Sequence, residues 1–116
     1  MSRRQEYQPP PGVTPVRDRA DVEARVAALA PRLRALGVER VRLFGSFVRG
    51  EQTDGSDVDL LVDLPDDRLT LSGVVGTADL LERVLGRPVD FLTPGGLSPY
   101  IGPHIVREAE DVPLAA

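Results

Sequence analysis

Three acidic side chains stand at positions where they could do chemistry together. Asp57 and Asp59 lie two apart in the run Ser56-Asp57-Val58-Asp59-Leu60, and Asp90 follows Val89 further along the chain. Residues two apart on a strand leave the same face with Cβ atoms about 6.5 to 7 Å apart, so two carboxylates would flank one site. Without a cation they repel and one tends to stay protonated, whereas a divalent ion between them keeps both charged. If the strand carrying Asp90 pairs beside theirs, three acids can serve two metal ions. Two such ions stabilise both the attacking and the leaving oxygen of an in-line displacement at phosphorus. Hard oxygen ligands favour magnesium, with manganese as the alternative.

A second group lies upstream. Gly45-Ser46 falls where a strand hands over to a helical turn, and the amides of such a junction can cradle phosphate. Gly45 lets the backbone approach closely. The Ser46 hydroxyl and amide suit the terminal phosphates of a triphosphate. Arg49, one turn on, suits the charge released with pyrophosphate, and Ser56 can hydrogen-bond in the loop before the acids. Each signal has a plainer reading: a Gly-Ser pair is usually a turn, and alternating aspartates are usually a solvated edge. An EF-hand does not account for the acids, because counting from Asp57 puts Leu61 and Val62 where that loop needs an oxygen ligand and a glycine. Asp63, Asp66 and Asp67 fall toward a strand end and its loop, where solvation explains them. His104 suits a surface or packing role, and Tyr100 and Phe44 suit packing.

The elements that must position these residues follow from hydrophobic spacing. Val22, Val26, Leu29, Leu33 and Leu36 recur at helical intervals, with Asp18 or Asp21 as N-cap, Gly37 as the stop, and Pro31 expected to kink or split the helix. Val41 and Leu43 alternate with Arg40 and Arg42 as in a strand covered on one face. The second strand spans 57–64, with Val58, Leu60 and Val62 facing one way and Asp57, Asp59, Leu61 and Asp63 the other. Leu71, Val74, Val75, Ala78, Leu81 and Leu85 predict a helix ending at Gly86. Val89 to Leu92 predicts a third strand, Thr93-Pro94-Gly95-Gly96 a turn, and residues 98–110 one short terminal helix.

Composition bounds the rest. The chain has 116 residues, 41% of them hydrophobic, which fits one compact domain; residues 1–17, with Pro9-Pro10-Pro11-Gly12, read as a flexible leader and 18–116 as the domain. Cysteine is absent, which excludes disulfides, thiolate metal sites and thiol nucleophiles. All 14 basic residues are arginine, so no P-loop lysine is available. A net charge of −4 argues against gripping DNA through the overall field. No apolar stretch suits a signal sequence or membrane span, and a cytoplasmic protein is expected.

The set Gly45-Ser46, Arg49-Gly50, Ser56-Asp57-Val58-Asp59-Leu60 and Val89-Asp90 resembles the signature of the DNA polymerase β-like nucleotidyltransferases. Within that superfamily it is most similar to the minimal nucleotidyltransferases, over roughly residues 20 to 112. The resemblance implies an α/β (α+β) fold, with helices packed against a small mixed sheet. It further implies that Asp57, Asp59 and Asp90 hold the catalytic metals and that Gly45 and Ser46 contact the nucleotide phosphates. Many members of this group are antitoxins that transfer AMP from ATP to a tyrosine of a partner HEPN-domain ribonuclease toxin, in a hetero-oligomer. That activity is the function expected here, with Asp90 as the candidate to orient or deprotonate the attacking hydroxyl. A domain this small leaves little surface to enclose an acceptor, and a partner that brings its own hydroxyl solves that problem. The rivals are a nucleotidyltransferase acting on a small molecule or an RNA end, and an antitoxin acting by contact alone.

Overall fold

In a computed structural model that describes residues 7–114, the first helix among the described residues opens where a side chain can satisfy its free amides. Asp18 is extended and its carboxylate accepts from the Asp21 amide, which makes it the N-cap of α1, Arg19–Ala35. Asp21 pairs instead with Arg17. The helix runs through Pro31 as one element and is not split. It ends before Gly37, whose φ of +93° lets the chain turn back so that the Val38 amide reaches the Leu33 carbonyl.

The remaining elements are β1 (Arg40–Phe44), α2 (Ser46–Arg49), β2 (Val58–Asp63), α3 (Leu71–Leu85), β3 (Val89–Leu92), α4 (Gly102–Glu108) and β4 (Glu110–Val112), with 3-10 turns at Asp66–Arg68 and Pro94–Gly96. The sheet order is β3-β2-β1-β4; β1 runs antiparallel to both β2 and β4, while β2 and β3 are parallel. This is the mixed sheet and α+β fold that was expected. The parallel pair needs a crossover, and α3 supplies it. β4 was not foreseen: the last segment is a shorter helix followed by a strand.

Val41, Leu43, Val58, Leu60, Val62, Val89 and Val112 face α1 and α3 across one core with Val22, Val26, Leu33, Leu81 and Leu85. Two expectations about burial fail. Leu71 and Val75 point to solvent, because Thr77, Leu80, Leu81 and Leu85 carry the buried stripe of α3. Leu61, assigned to the uncovered side of β2, is also fully buried; it lies outside the main cluster, between its strand partners Arg42 and Leu92.

The segment expected to be a flexible leader is described from Tyr7 onward, and its later part is docked. Val16 is fully buried, its amide bonds the Leu85 carbonyl, and the Tyr7 hydroxyl donates to the Glu82 carbonyl. The ordered body therefore starts before residue 18, and residues 1–6 lie outside the described part. No helix among the described residues is long and apolar enough to cross a membrane.

Candidate functional site

Parallel pairing of β2 with β3 sets Asp59 and Asp90 directly in register. Register partners share a face and their strands lie about 4.8 Å apart, so the two carboxylates leave the sheet side by side. Asp57 stands just before β2, two residues ahead of Asp59. Asp57 and Asp59 are half-buried and Asp90 is exposed; Asp59 and Asp90 alternate with the core residues Val58, Leu60 and Val89 and so lie on the sheet face away from α1 and α3. Among the described residues no three His, Cys, Asp or Glu side chains are gathered tightly enough to hold a metal ion as they stand. Three carboxylates at one end of the β2–β3 pair form an all-oxygen donor set, the kind that a hard divalent cation takes.

Gly45 abuts this group. It links β1 to α2 with φ +78° and ψ −151°, a conformation open essentially to glycine alone. A Cβ built there would lie 2.0 Å from Asp59 Oδ2, inside any tolerable contact. The glycine therefore does two things at once: it turns the strand into the short helix, and it leaves room for the Asp59 carboxylate.

The residues assigned to phosphate are engaged within the chain. The Gly45 amide donates to Glu108 Oε1 at 2.5 Å, and Arg49 Nη1 donates to Glu108 Oε2 at 2.7 Å. Arg49 Nε also bonds Glu51 Oε1 at 2.7 Å, so its guanidinium is held between two carboxylates. Hydrogen bonds donated to Glu51 and then Glu108 raise the Arg49 pKa above the usual guanidinium value. Burial works to raise the Glu108 pKa, but the Gly45 amide and Arg49 outweigh it and hold that carboxyl below its ordinary range. The Ser56 hydroxyl accepts from the Thr53 amide at 2.8 Å and shapes the loop ahead of Asp57.

Beside Glu108 a cleft of about 460 Å³ is lined by Arg49, His104, Ile105, Arg107 and Glu108. His104 is exposed there, with Nδ1 3.3 Å from Arg107 Nη2. Of the other acids, Asp63 pairs with Arg42 across the strands at 3.3 Å, while Asp66 and Asp67 are exposed in their turn. Phe44 is buried, but Tyr100 is 88% exposed and is not a packing residue.

Two residues were missed by sequence reasoning. Glu108 ends a helix, and no local pattern ties it to Gly45, 63 positions away. Arg87 is one of fourteen arginines and the sequence gives no reason to single it out, yet it is 6% exposed and donates to four backbone carbonyls.

Residues 26–112 match the family model described as a nucleotidyltransferase domain. The protein adenylyltransferase MntA of Thermococcus cleftensis is 35% identical over 76% of this chain and 89% of its own length. A solved structure provisionally named a minimal nucleotidyltransferase shares 37% identity with a TM-score of 0.71, covering 81% of this chain and 95% of that one. A chain from the solved complex of a tri-AMPylated Shewanella oneidensis HEPN toxin with MNT antitoxin superposes with a TM-score of 0.59 over 81% of this chain and 73% of that one. At 19% identity that last likeness concerns the fold alone.

Proposed function

Since the chain belongs to the nucleotidyltransferase domain family, we propose that it moves AMP from ATP onto a tyrosine hydroxyl of a partner HEPN-domain toxin and so neutralises it. The observation that carries this reading is the register of Asp59 with Asp90, with Asp57 two residues ahead and Gly45 set against the Asp59 carboxylate. The exposure of Asp90 supports it too, since an exposed acid suits an acceptor delivered by another folded protein. The adenylyltransferase name of the Thermococcus relative points the same way.

In the proposed reaction the acceptor oxygen attacks the α-phosphorus of ATP in line, the bond to the bridging oxygen breaks, and pyrophosphate leaves. Bound by Asp57, Asp59 and Asp90, magnesium would supply the positive charge that the triphosphate and the departing pyrophosphate need. Asp90, the exposed acid, orients the acceptor hydroxyl and takes its proton. Gly45 and Ser46 hold the phosphates, which requires the Gly45 amide and Arg49 to exchange Glu108 for phosphate oxygen. Arg49 then balances the charge of the leaving group.

The test is to incubate the chain with ATP, magnesium and the HEPN-domain partner and weigh the partner by mass spectrometry. The expected result is a gain of one or more AMP units on a tyrosine, lost with Asp57→Ala/Asp59→Ala. Equal inhibition of the partner by wild type and variant with no change in mass would replace this reading with contact inhibition. Pyrophosphate release only with small amines or RNA would replace it with a different acceptor.

A further inference from the structure

Asp57 is held by its two flanking peptide groups, and both are anchored by neighbouring residues of a different segment. The carbonyl just before it, that of Ser56, accepts from Arg87 Nη1 at 3.0 Å. The amide just after it, that of Val58, donates to the Pro88 carbonyl at 3.0 Å. The same Arg87 nitrogen reaches the carbonyls of Thr53 and Asp54 at 2.9 and 3.2 Å, and Arg87 Nε reaches that of Val16 at 2.7 Å. Its guanidinium carbon also sits 5.2 Å from the centroid of the Phe47 ring, and Phe47 directly follows Ser46. Three residues on, along the same stretch of chain, stands Asp90.

One buried group thus touches the loop ahead of Asp57, the helix that starts at Ser46, and the strand that bears Asp90. Burial pulls the guanidinium below its ordinary pKa, while the charges of Asp54 and Asp57 favour its cationic form. It gives three of its four bonds to the carbonyls of the loop ahead of Asp57 and the fourth to Val16. The bonds leave from two nitrogens, Nη1 toward the loop carbonyls and Nε toward Val16, and a lysine ammonium, a single donor centre, cannot hold both sides of that fork.

We infer that Arg87 is a positioning residue for nucleotidyl transfer: it fixes the loop that leads into Asp57, while the adjacent Pro88 holds the far side, and so sets where that carboxylate stands relative to Asp90. It touches neither nucleotide nor acceptor. The inference rests on the proposed function for its chemical meaning, but its geometry can be read in the chain alone.

The experiment compares wild type, Arg87→Lys and, as a control of similar lost stability, Leu33→Ala in α1, each at a temperature where circular dichroism shows it folded. Hydrogen exchange is measured without ligands, and Mn2+ binding by electron paramagnetic resonance, before any assay of transfer. In Arg87→Lys the amides of residues 53–58 should exchange at least ~10-fold faster with those of α1 unchanged, the Mn2+ dissociation constant should rise about 10-fold, and the transfer rate should fall about 10- to 100-fold, the range typical when the support of a metal ligand is removed. Wild-type exchange and Mn2+ affinity in Arg87→Lys would overturn the inference. So would the same local loosening and weaker Mn2+ binding in Leu33→Ala, since the effect would then be one of general stability. Neither readout needs ATP or an acceptor, so a chain that transferred nothing would overturn the proposed reaction and leave both measurements standing.

Discussion

The two faces of the one sheet are built on opposite terms. Toward α1 and α3 it presents Val41, Leu43, Val58, Leu60, Val62 and Val89, none more than 3% exposed. On the other face β1 to β4 carry Arg40, Arg42, Asp59, Asp63, Asp90 and Asp111, several of them in cross-strand ion pairs, around the buried side chains of Phe44 and Leu61. Strand β2 serves both, because its alternation sends Leu60 inward and Asp59 outward. Stability and chemistry are therefore separable by a single step along the chain. Asp59→Asn should reduce transfer by at least ~10²-fold, the scale of losing a key electrostatic group, while the melting temperature holds or rises as carboxylate crowding is relieved. Leu60→Ala should do the reverse: about 2–5 kcal/mol of stability lost to the cavity, with activity per folded molecule retained. Parallel rate assays and denaturant melts would decide; a large stability loss in Asp59→Asn would break the division.

Gly45 is where that division should fail. It lies at the end of a strand whose inner residues are core, and it holds space for an outer carboxylate. Gly45→Ala must adopt a backbone conformation that costs about 1–3 kcal/mol. It must also push Asp59 aside, since the new Cβ would stand 2.0 Å from Oδ2. We expect a smaller activity loss than in Asp59→Asn, roughly 10- to 100-fold, because the carboxylate is displaced and not removed. Unlike Asp59→Asn, it should also lower the melting temperature by several degrees. An alanine variant with wild-type rate and wild-type melting would show that the loop has slack and that this contact constrains neither property.

The contrast also explains what could be read from the sequence. The covered face was legible because apolar spacing reports directly on burial: α1, β1, β2, α3 and β3 all fall where the periods put them. The acids were legible as a set because strand alternation and pairing are short-range rules, and their register needed only that β2 and β3 be neighbours. What escaped depends on side chains reaching across the fold. The three residues of β4, Glu110–Val112, carry too little pattern to reveal that they cover the edge of β1. Glu108 and Arg87 hold backbone groups far away in sequence, and a side-chain to backbone bond leaves no mark on the residue that receives it. Leu71 and Val75 misled for the opposite reason: apolar residues at helical spacing need not all lie on the buried stripe, and here Thr77 takes a core position, its hydroxyl satisfied by the Gly73 carbonyl.

The last and smallest effect concerns acid, and it should fall on the open face and its surroundings. The covered face has no carboxylate in its core cluster. By contrast, the carboxyls of Asp21, Glu108 and Asp111 are all held below their ordinary values. A hydrogen bond from Arg17 does this for Asp21, and one from Arg40 for Asp111. At Glu108 burial opposes the shift and is outweighed by the Gly45 amide and Arg49. Each group ionises more readily in the folded chain than in the unfolded one. Their contribution is complete above the unfolded values, 4.5 for Glu and 3.8 for Asp, and is withdrawn as pH falls through the lower folded ones. Asp111 is exposed and Asp21 and Glu108 are partly exposed, so solvent screens each pair and the loss should be a few degrees of melting temperature and not collapse. Glu108→Gln isolates one share of it: the amide oxygen can still accept from Gly45, but the charge facing Arg49 is gone. Its melting temperature should lie slightly below wild type at pH 7 and the two curves should converge as pH falls below 4.5 and wild-type Glu108 protonates. Curves that stay parallel over that range would mean that the carboxylate between Gly45 and Arg49 is not titrating there, and that the phosphate side of the site draws its acid response from elsewhere.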